Sequence, residues 1–205
     1  TKIVSAGSQA ALVLTGVGSG TTLGVSDTAQ NLTATYAANA FAAGSTLNLD
    51  LSNAGTNVSG TITRSIIDAG QATAAGAATG VSIAATGANY VTLAASGAND
   101  IAAAAGIKTL TVTGAGTVDI LNTSTLESSS TLAADLTKVD ASANTGGVTI
   151  QVANKDVAVT GGAGADDEDA GLVEHADVQA VHGQHVYRGL DVVGAELQGL
   201  GDAVG

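Results

Sequence analysis

The sequence predicts an all-β fold, a parallel β-solenoid (β-helix or β-roll) with short Ala-rich helical pieces; the alternative is a β-sandwich. Three observations predict it. Val81 to Asp100, VSIAATGANYVTLAASGAND, states one ten-residue unit twice, with Val81 answering Val91, Ile83 answering Leu93, and Gly87-Ala88-Asn89 answering Gly97-Ala98-Asn99. Short stretches elsewhere alternate apolar and polar residues with period two, the pattern of strands that bury one face. Hydrophobic residues make up 45% of the chain but aromatics only 2%, with no Trp, Met, Cys or Pro, so Ala and Val supply much of the apolar surface. Each buries far less area than Phe or Leu, and the interior they can fill is thin.

In chain order, the alternating stretches are Thr46-Leu47-Asn48-Leu49-Asp50-Leu51, Val58-Ser59-Gly60-Thr61-Ile62, Leu110-Thr111-Val112-Thr113 and Val148-Thr149-Ile150-Gln151-Val152, each read as a strand. Turn signals punctuate them at Gly18-Ser19-Gly20, Ala54 to Asn57, Thr86 to Asn89, Ser96 to Asn99, Gly114 to Gly116 and Thr145 to Gly147. In the repeated unit, Val81, Ile83, Val91 and Leu93 face one way and Ser82 and Thr92 the other. Gly-x-Asn closes each copy, because Gly permits positive φ and Asn can hydrogen-bond its own backbone. Gly55-Thr56-Asn57 carries the same triplet. Alanine is dense at Ala37 to Ala43, Ala69 to Ala78 and Ala102 to Ala105, where its helix propensity predicts short helical pieces, each soon broken by Gly or Thr.

Strand-plus-turn units stack either as antiparallel hairpins of a sandwich or as parallel rungs of a solenoid. A sandwich fills the space between its sheets, about 10 Å, with large side chains, whereas a narrow solenoid accepts Ala, Val, Ile and Leu. Internal repeats and Asn residues able to ladder between rungs also favour the solenoid.

Composition excludes several functions. The net charge is −12 and the six basic residues are scattered, which argues against a nucleic-acid partner. An acidic surface suits divalent cations. Without Cys there is no disulfide or thiolate chemistry. No apolar run approaches a membrane span, Thr1-Lys2-Ile3 does not begin a secretory signal, and the chain is expected to be a piece of something larger.

Ser and Thr occur throughout residues 1–160 and not once in 161–205, which hold nine of the 18 acidic residues and all three histidines. That shift divides a Thr/Ala/Gly/Val-rich solenoid (1–160) from an acidic segment (161–205). The segment is a native module, a fusion or a changed reading frame, and partial disorder of its end is an expectation. The boundary falls on Gly161-Gly162-Ala163-Gly164-Ala165-Asp166, followed by Asp167-Glu168-Asp169. The glycines let the backbone curl so that carbonyls converge, and Asp166 completes an oxygen cage suited to Ca²⁺, so Gly161, Gly162, Ala163, Gly164 and Asp166 are the candidate metal residues. The plainer reading is a Gly-rich turn leading into a solvated acidic stretch.

Other chemistry is sparse. His175, His182 and His185 could share a helical face and meet a zinc ion beside Glu174 or Asp177, but Gly183 and Gly189 weaken that helix, and solvated histidines are the expectation. There is no Gly-x-Ser-x-Gly elbow, no Gly-Lys-Ser/Thr phosphate loop, and no His in residues 1–160 to serve as a base. Asp119 and Asp140 lie near strand segments and could be paired acids; single carboxylates amid Thr and Asn are more often solvated or turn-capping. No catalytic residue is expected, and the chain is read as a non-enzyme.

Ile107 to Gly114, Leu136 to Ser142, and Val157-Ala158-Val159-Thr160 running into Gly161 to Asp166 resemble the large Thr/Ala/Gly/Val-rich surface-layer proteins of the RTX type made by Gram-negative bacteria. The hexapeptide matches the first six positions of the RTX nonapeptide Gly-Gly-x-Gly-x-Asp-x-apolar-x. Glu168 stands where the large apolar residue belongs, and no second nonapeptide follows. The likeness covers about residues 1–166. It implies type I secretion to the extracellular cell surface and calcium-driven self-association into an S-layer lattice, with cell-surface polysaccharide as a further partner through parts outside this chain. The alternatives are a stalk or repeat segment of a secreted adhesin, and the C-terminal RTX portion of a secreted hydrolase.

Overall fold

The computed structural model describes residues 1–41, 45–72, 78–94, 107–120, 136–152, 157–170, 178–179 and 185–187. The chain winds back and forth between two sheets. β1 (Lys2–Ala6) belongs to the first and β2 (Leu12–Val17) to the second, and together they make one rung. The next rung is β3 (Thr22–Thr28) and β4 (Leu32–Tyr36). In the third, β5 (Thr46–Ala54) is followed by a small hairpin, β6 (Thr56–Val58) and β7 (Thr61–Thr63), before β8 (Ser65–Gln71) returns to the second sheet. Then come β9 (Gly80–Thr86) with β10 (Ala88–Ala94), β11 (Thr109–Gly114) with β12 (Thr117–Ile120), and β13 (Lys138–Asn144) with β14 (Val148–Val152). The last two rungs are β15 (Ala158–Thr160) with β16 (Asp166–Ala170), and β17 (Val178–Gln179) with β18 (His185–Tyr187).

Among the described residues each sheet has eight strands. Their orders are β1-β3-β5-β9-β11-β13-β15-β17 and β18-β16-β14-β12-β10-β8-β4-β2. Pairing within both is parallel, and β6–β7 is antiparallel. This all-β arrangement of stacked parallel strands is consistent with a β-solenoid or β-roll and differs from a sandwich built of antiparallel hairpins. The rung length varies, from 18 residues between paired Thr149 and Asp167 to 35 between Leu32 and Ile67. The strand ladder also continues past Thr160, since β16 pairs with β14 and β17 with β15.

Period-two alternation fills the space between the sheets. Parallel register puts like on like, so Leu47, Val81, Leu110, Val139 and Val159 form one column and Leu23, Leu49, Ile83 and Val112 another. From the second sheet, Leu32, Ile67 and Leu93 stack, as do Val91, Ile120 and Ile150. Nearly all of these are buried, each contributing on the order of 1.5–3 kcal/mol. The two copies in the repeated unit lie on facing sheets, with Val81 and Ile83 pointing in from β9 and Val91 and Leu93 from β10. Gly87 at φ 66° turns the chain between them. The second triplet copy, Gly97 to Asn99, lies outside the described residues.

Aromatic bulk is placed at one bend. Tyr36 and Phe41 meet edge to face with ring centroids 4.8 Å apart, and Tyr36 donates its hydroxyl to Thr21 O. Burial pushes the Tyr36 phenol up to about 12. This contact explains one departure from expectation: Ala37 to Ala40 form a turn rather than a helix, because the following Phe41 tucks against Tyr36. Ala69 lies inside β8, where its ladder partner is Ala34. Ala102 to Ala105 lie outside the described residues, and no helix occurs among those described. A small side chain suits a narrow interior as well as it suits a helix, and tertiary pairing decides between them.

A second departure concerns Val58 to Ile62, read as one strand. A turn at Ser59 and Gly60, with φ 53° and 86°, splits it into β6 and β7. Gly60 N donates to Asn57 Oδ1 and closes the hairpin.

Asn89, at the start of β10, is fully buried. Its Oδ1 accepts from Ala54 N at 3.1 Å, and its Nδ2 donates to Thr86 O and Thr117 O, each at 3.0 Å. Three successive rungs are thereby joined through one amide. Truncating it leaves a buried N–H and buried carbonyls without partners. Asn89→Ala should lower the unfolding free energy by about 2–4 kcal/mol in urea titration, whereas an effect within experimental scatter would rule out the bridge.

Candidate functional site

The Gly161 to Asp166 hexapeptide is a bend between β15 and β16. It sits on the corresponding bend of the preceding rung, Asn144 to Gly147. Ala163 N donates to Asn144 O at 3.0 Å. A Cβ on Gly162 would run into Asn144 O, and one on Gly164 into the Gly147 amide nitrogen. These two glycines are thus required by the close approach of one backbone to the next, a packing reason independent of any ion. The same contact recurs one step earlier, where a Cβ on Gly146 would strike Gly116.

The preceding bend offers no carboxylate. Asn144 is buried and its side chain is engaged: Nδ2 donates to Gly116 O at 3.0 Å, and Oδ1 accepts from Gly146 N and Gly147 N. Of the expected metal residues, Gly161, Gly162, Ala163 and Gly164 share this bend, and of Asp166, which opens β16, only the backbone is described. Among the described residues no cluster of three or more His, Cys, Asp or Glu side chains is placed to hold a metal.

The two candidate paired acids are apart. Asp119 belongs to β12 in the second sheet and Asp140 to β13 in the first. Each has a basic partner. Arg64 reaches two rungs along its sheet to Asp119, with Nη2 2.9 Å from Oδ1 and Nη1 2.7 Å from the Asp119 carbonyl oxygen. Their side chains are only 8% and 17% exposed. This bridge was not legible in the sequence, where the two residues lie 55 positions apart; a basic residue at a strand entrance was the only hint.

Asp140 closes a bulge. Between Thr111 and Thr113, β13 carries one residue more than β11, and the extra residue frees a backbone amide. Asp140 Oδ1 accepts from Ser142 N and Ser142 Oγ, and Oδ2 accepts from Lys138 Nζ at 2.8 Å. Lys138 first, and then the Ser142 hydroxyl and amide, hold the Asp140 carboxyl down at about 2.

His175, His182, Glu174 and Asp177 lie outside the described residues; of His185 only the backbone is described, in β18. No helix among the described residues is long and apolar enough to cross a membrane.

Comparisons with known proteins return no matching family model, no matching curated protein and no matching solved structure.

Two outcomes test this account. Gly164→Ala should destabilise the chain by about 2 kcal/mol or more in urea titration, since backbone must move to admit the methyl group, while Gly18→Ala, with open space around it, should change stability by less than about 0.5 kcal/mol. For Asp140, whose folded value lies below the usual 3.8, the bulge contact contributes stability above that usual value and loses it as pH falls through about 2. An NMR titration should place the Asp140 midpoint near 2 and move it upward in Lys138→Ala.

Proposed function

We propose that the chain is a structural, non-catalytic protein of the extracellular cell surface, a subunit of a calcium-dependent S-layer lattice of the RTX kind. The observation that carries this reading is the two-sheet parallel stack, an arrangement consistent with a β-solenoid, in which outward rows of the first sheet are chemically plain. Asn48, Ser82, Thr111, Asp140 and Thr160 follow one another across five rungs on the first sheet, all half-buried. Such a surface offers flat, polar, repetitive contact and no concentrated reactive group. Arg64 and Asp119, Lys138 and Asp140, and Lys2 and Asp50 are engaged with each other as ion pairs.

Calcium enters through linkage. An ion that binds only the folded chain stabilises it, and in a protein of net charge −12 it also relieves repulsion between acidic neighbours. The carbonyls of Gly161, Gly162, Ala163 and Gly164 with Asp166 are the groups that would hold it. Low calcium inside the cell and high calcium outside would then delay folding until after export.

A stalk of a secreted adhesin is the second reading, favoured by growth along a single axis: each added rung lengthens the stack by about 4.8 Å. Electron microscopy separates the two. Ordered planar arrays in calcium support the lattice; elongated single particles under the same conditions support the stalk.

Millimolar Ca²⁺ should raise the melting temperature by several degrees, and Asp166→Ala should remove most of that rise without changing the melting temperature in EDTA. A melting temperature indifferent to Ca²⁺ would sink the calcium-dependent reading.

A further inference from the structure

The sequence contains three Asn-x-Ser/Thr triplets, the acceptor pattern for N-linked sugars: Asn31-Leu32-Thr33, Asn57-Val58-Ser59 and Asn122-Thr123-Ser124. A transferase that reads such a triplet must reach all of its residues, so acceptance depends on how the fold presents them. The third triplet lies outside the described residues. The first is woven into the stack. Leu32 is buried, Thr33 pairs with Val13 on one side and Asp68 on the other, and Asn31 Oδ1 accepts from Ile66 N at 3.1 Å.

The second triplet is presented in the opposite way. It runs into the turn of the β6–β7 hairpin, where every residue from Thr56 to Thr63 is exposed. A Cβ on Gly55, at the base of the hairpin, would strike Tyr90 O, whereas one on Gly60, at the tip, would meet nothing. Asn57 Oδ1 accepts from Gly60 N at 3.0 Å. That bond holds the carboxamide still and leaves Nδ2, the atom that joins to sugar, without a partner among the described residues. Ser59 follows at the turn, exposed and at φ 53°.

A separate observation points to the same place. Ile62 lies directly opposite Asn57 in the β6–β7 pairing, so the two side chains leave the same face of the hairpin, with Cβ atoms about 4.5–5.5 Å apart. Ile62 is 39% exposed and Val58 68%, in a hairpin otherwise made of Thr, Asn, Ser and Gly. The C–H face of a sugar ring attached at Asn57 would lie over Ile62 and remove apolar surface from water.

We propose that Asn57 is a glycosylation site, the acceptor of a sugar activated as a diphosphate ester. In the transfer Nδ2 bonds to the anomeric carbon of the sugar, the bond from that carbon to the diphosphate oxygen breaks, and one amide proton passes to a base of the transferase. The diphosphate leaves with the bonding electrons. The site needs neither calcium nor a lattice, so it stands or falls separately from the function proposed above.

Peptide mapping by mass spectrometry, on the full chain isolated from the cells that make it, tests the assignment. The expected result is a glycan on the peptide spanning Asn57 and an unmodified Asn31. A series of glycans differing by single sugars identifies nucleoside diphosphate donors used stepwise, and one preassembled glycan identifies a lipid diphosphate donor; both support the site. Ser59→Gly should strip the glycan from Asn57 while leaving the acceptor amide in place, and glycine suits φ 53°, so circular dichroism should show an unchanged fold. Should that variant not fold, the wild-type map decides alone. An unmodified Asn57, a glycan on Asn31 in place of Asn57, or one on Asn57 that survives Ser59→Gly would overturn the proposal.

Discussion

The distance between neighbouring backbones in a parallel sheet, about 4.8 Å, is the constraint on which this structure depends. Along the strands it is met without difficulty, because side chains leave the sheet above and below. At the bends it is severe, since the backbone of one rung lies directly on that of the next. Gly116, Gly146, Gly162 and Gly164 all stand where a Cβ would collide with main chain of the rung before. A bend that admitted larger residues would push the rungs apart and break the ladder on both sheets.

The same spacing accounts for the polar side chains. Turning a corner interrupts the ladder and frees amides and carbonyls, which must find partners when buried. Asn89 and Asn144 supply them across rungs, Tyr36 does so with its hydroxyl, and Asp140 satisfies the amide released by a bulge. Arg64 and Asp119 fasten three rungs across the outside of the second sheet. Much of the polar chemistry in the described residues is therefore spent on holding rungs together. The Gly-rich hexapeptide has a share in this: its glycines serve stacking whether or not its carbonyls also serve an ion.

Much of this was legible residue by residue. Thr46 to Leu51, Leu110 to Thr113 and Val148 to Val152 are strands where alternation placed them, because period two is a property of the extended backbone itself. Val81 and Val91 point into one core for the same reason. The positive φ of Gly87 was readable from the triplet that contains it. By contrast, Val58 to Ile62 kept the alternation of a strand while Ser59 and Gly60 turned it back on itself, and a local pattern cannot tell a strand from a tight hairpin of equal length. Alanine at 37 to 40 misled because its helix propensity is weak beside the burial of Phe41 against Tyr36.

Of the candidate site, the hexapeptide's turn geometry was readable, since Gly-Gly-x-Gly leaves little else for the backbone to do. Its dependence on Asn144 and Gly147 was not, because those residues come from another rung. The separation of Asp119 from Asp140 and the partnership of Asp119 with Arg64 were equally hidden: rungs of unequal length make sequence distance a poor measure of register. By itself the sequence determined that the chain would extend, bury one face of each strand, and bend at its glycines, all of which follow from single-residue geometry. Only the tertiary structure decided which strands are neighbours, that they run parallel, and which polar groups meet, because register is chosen by the simultaneous fit of all the rungs and no one stretch carries that information.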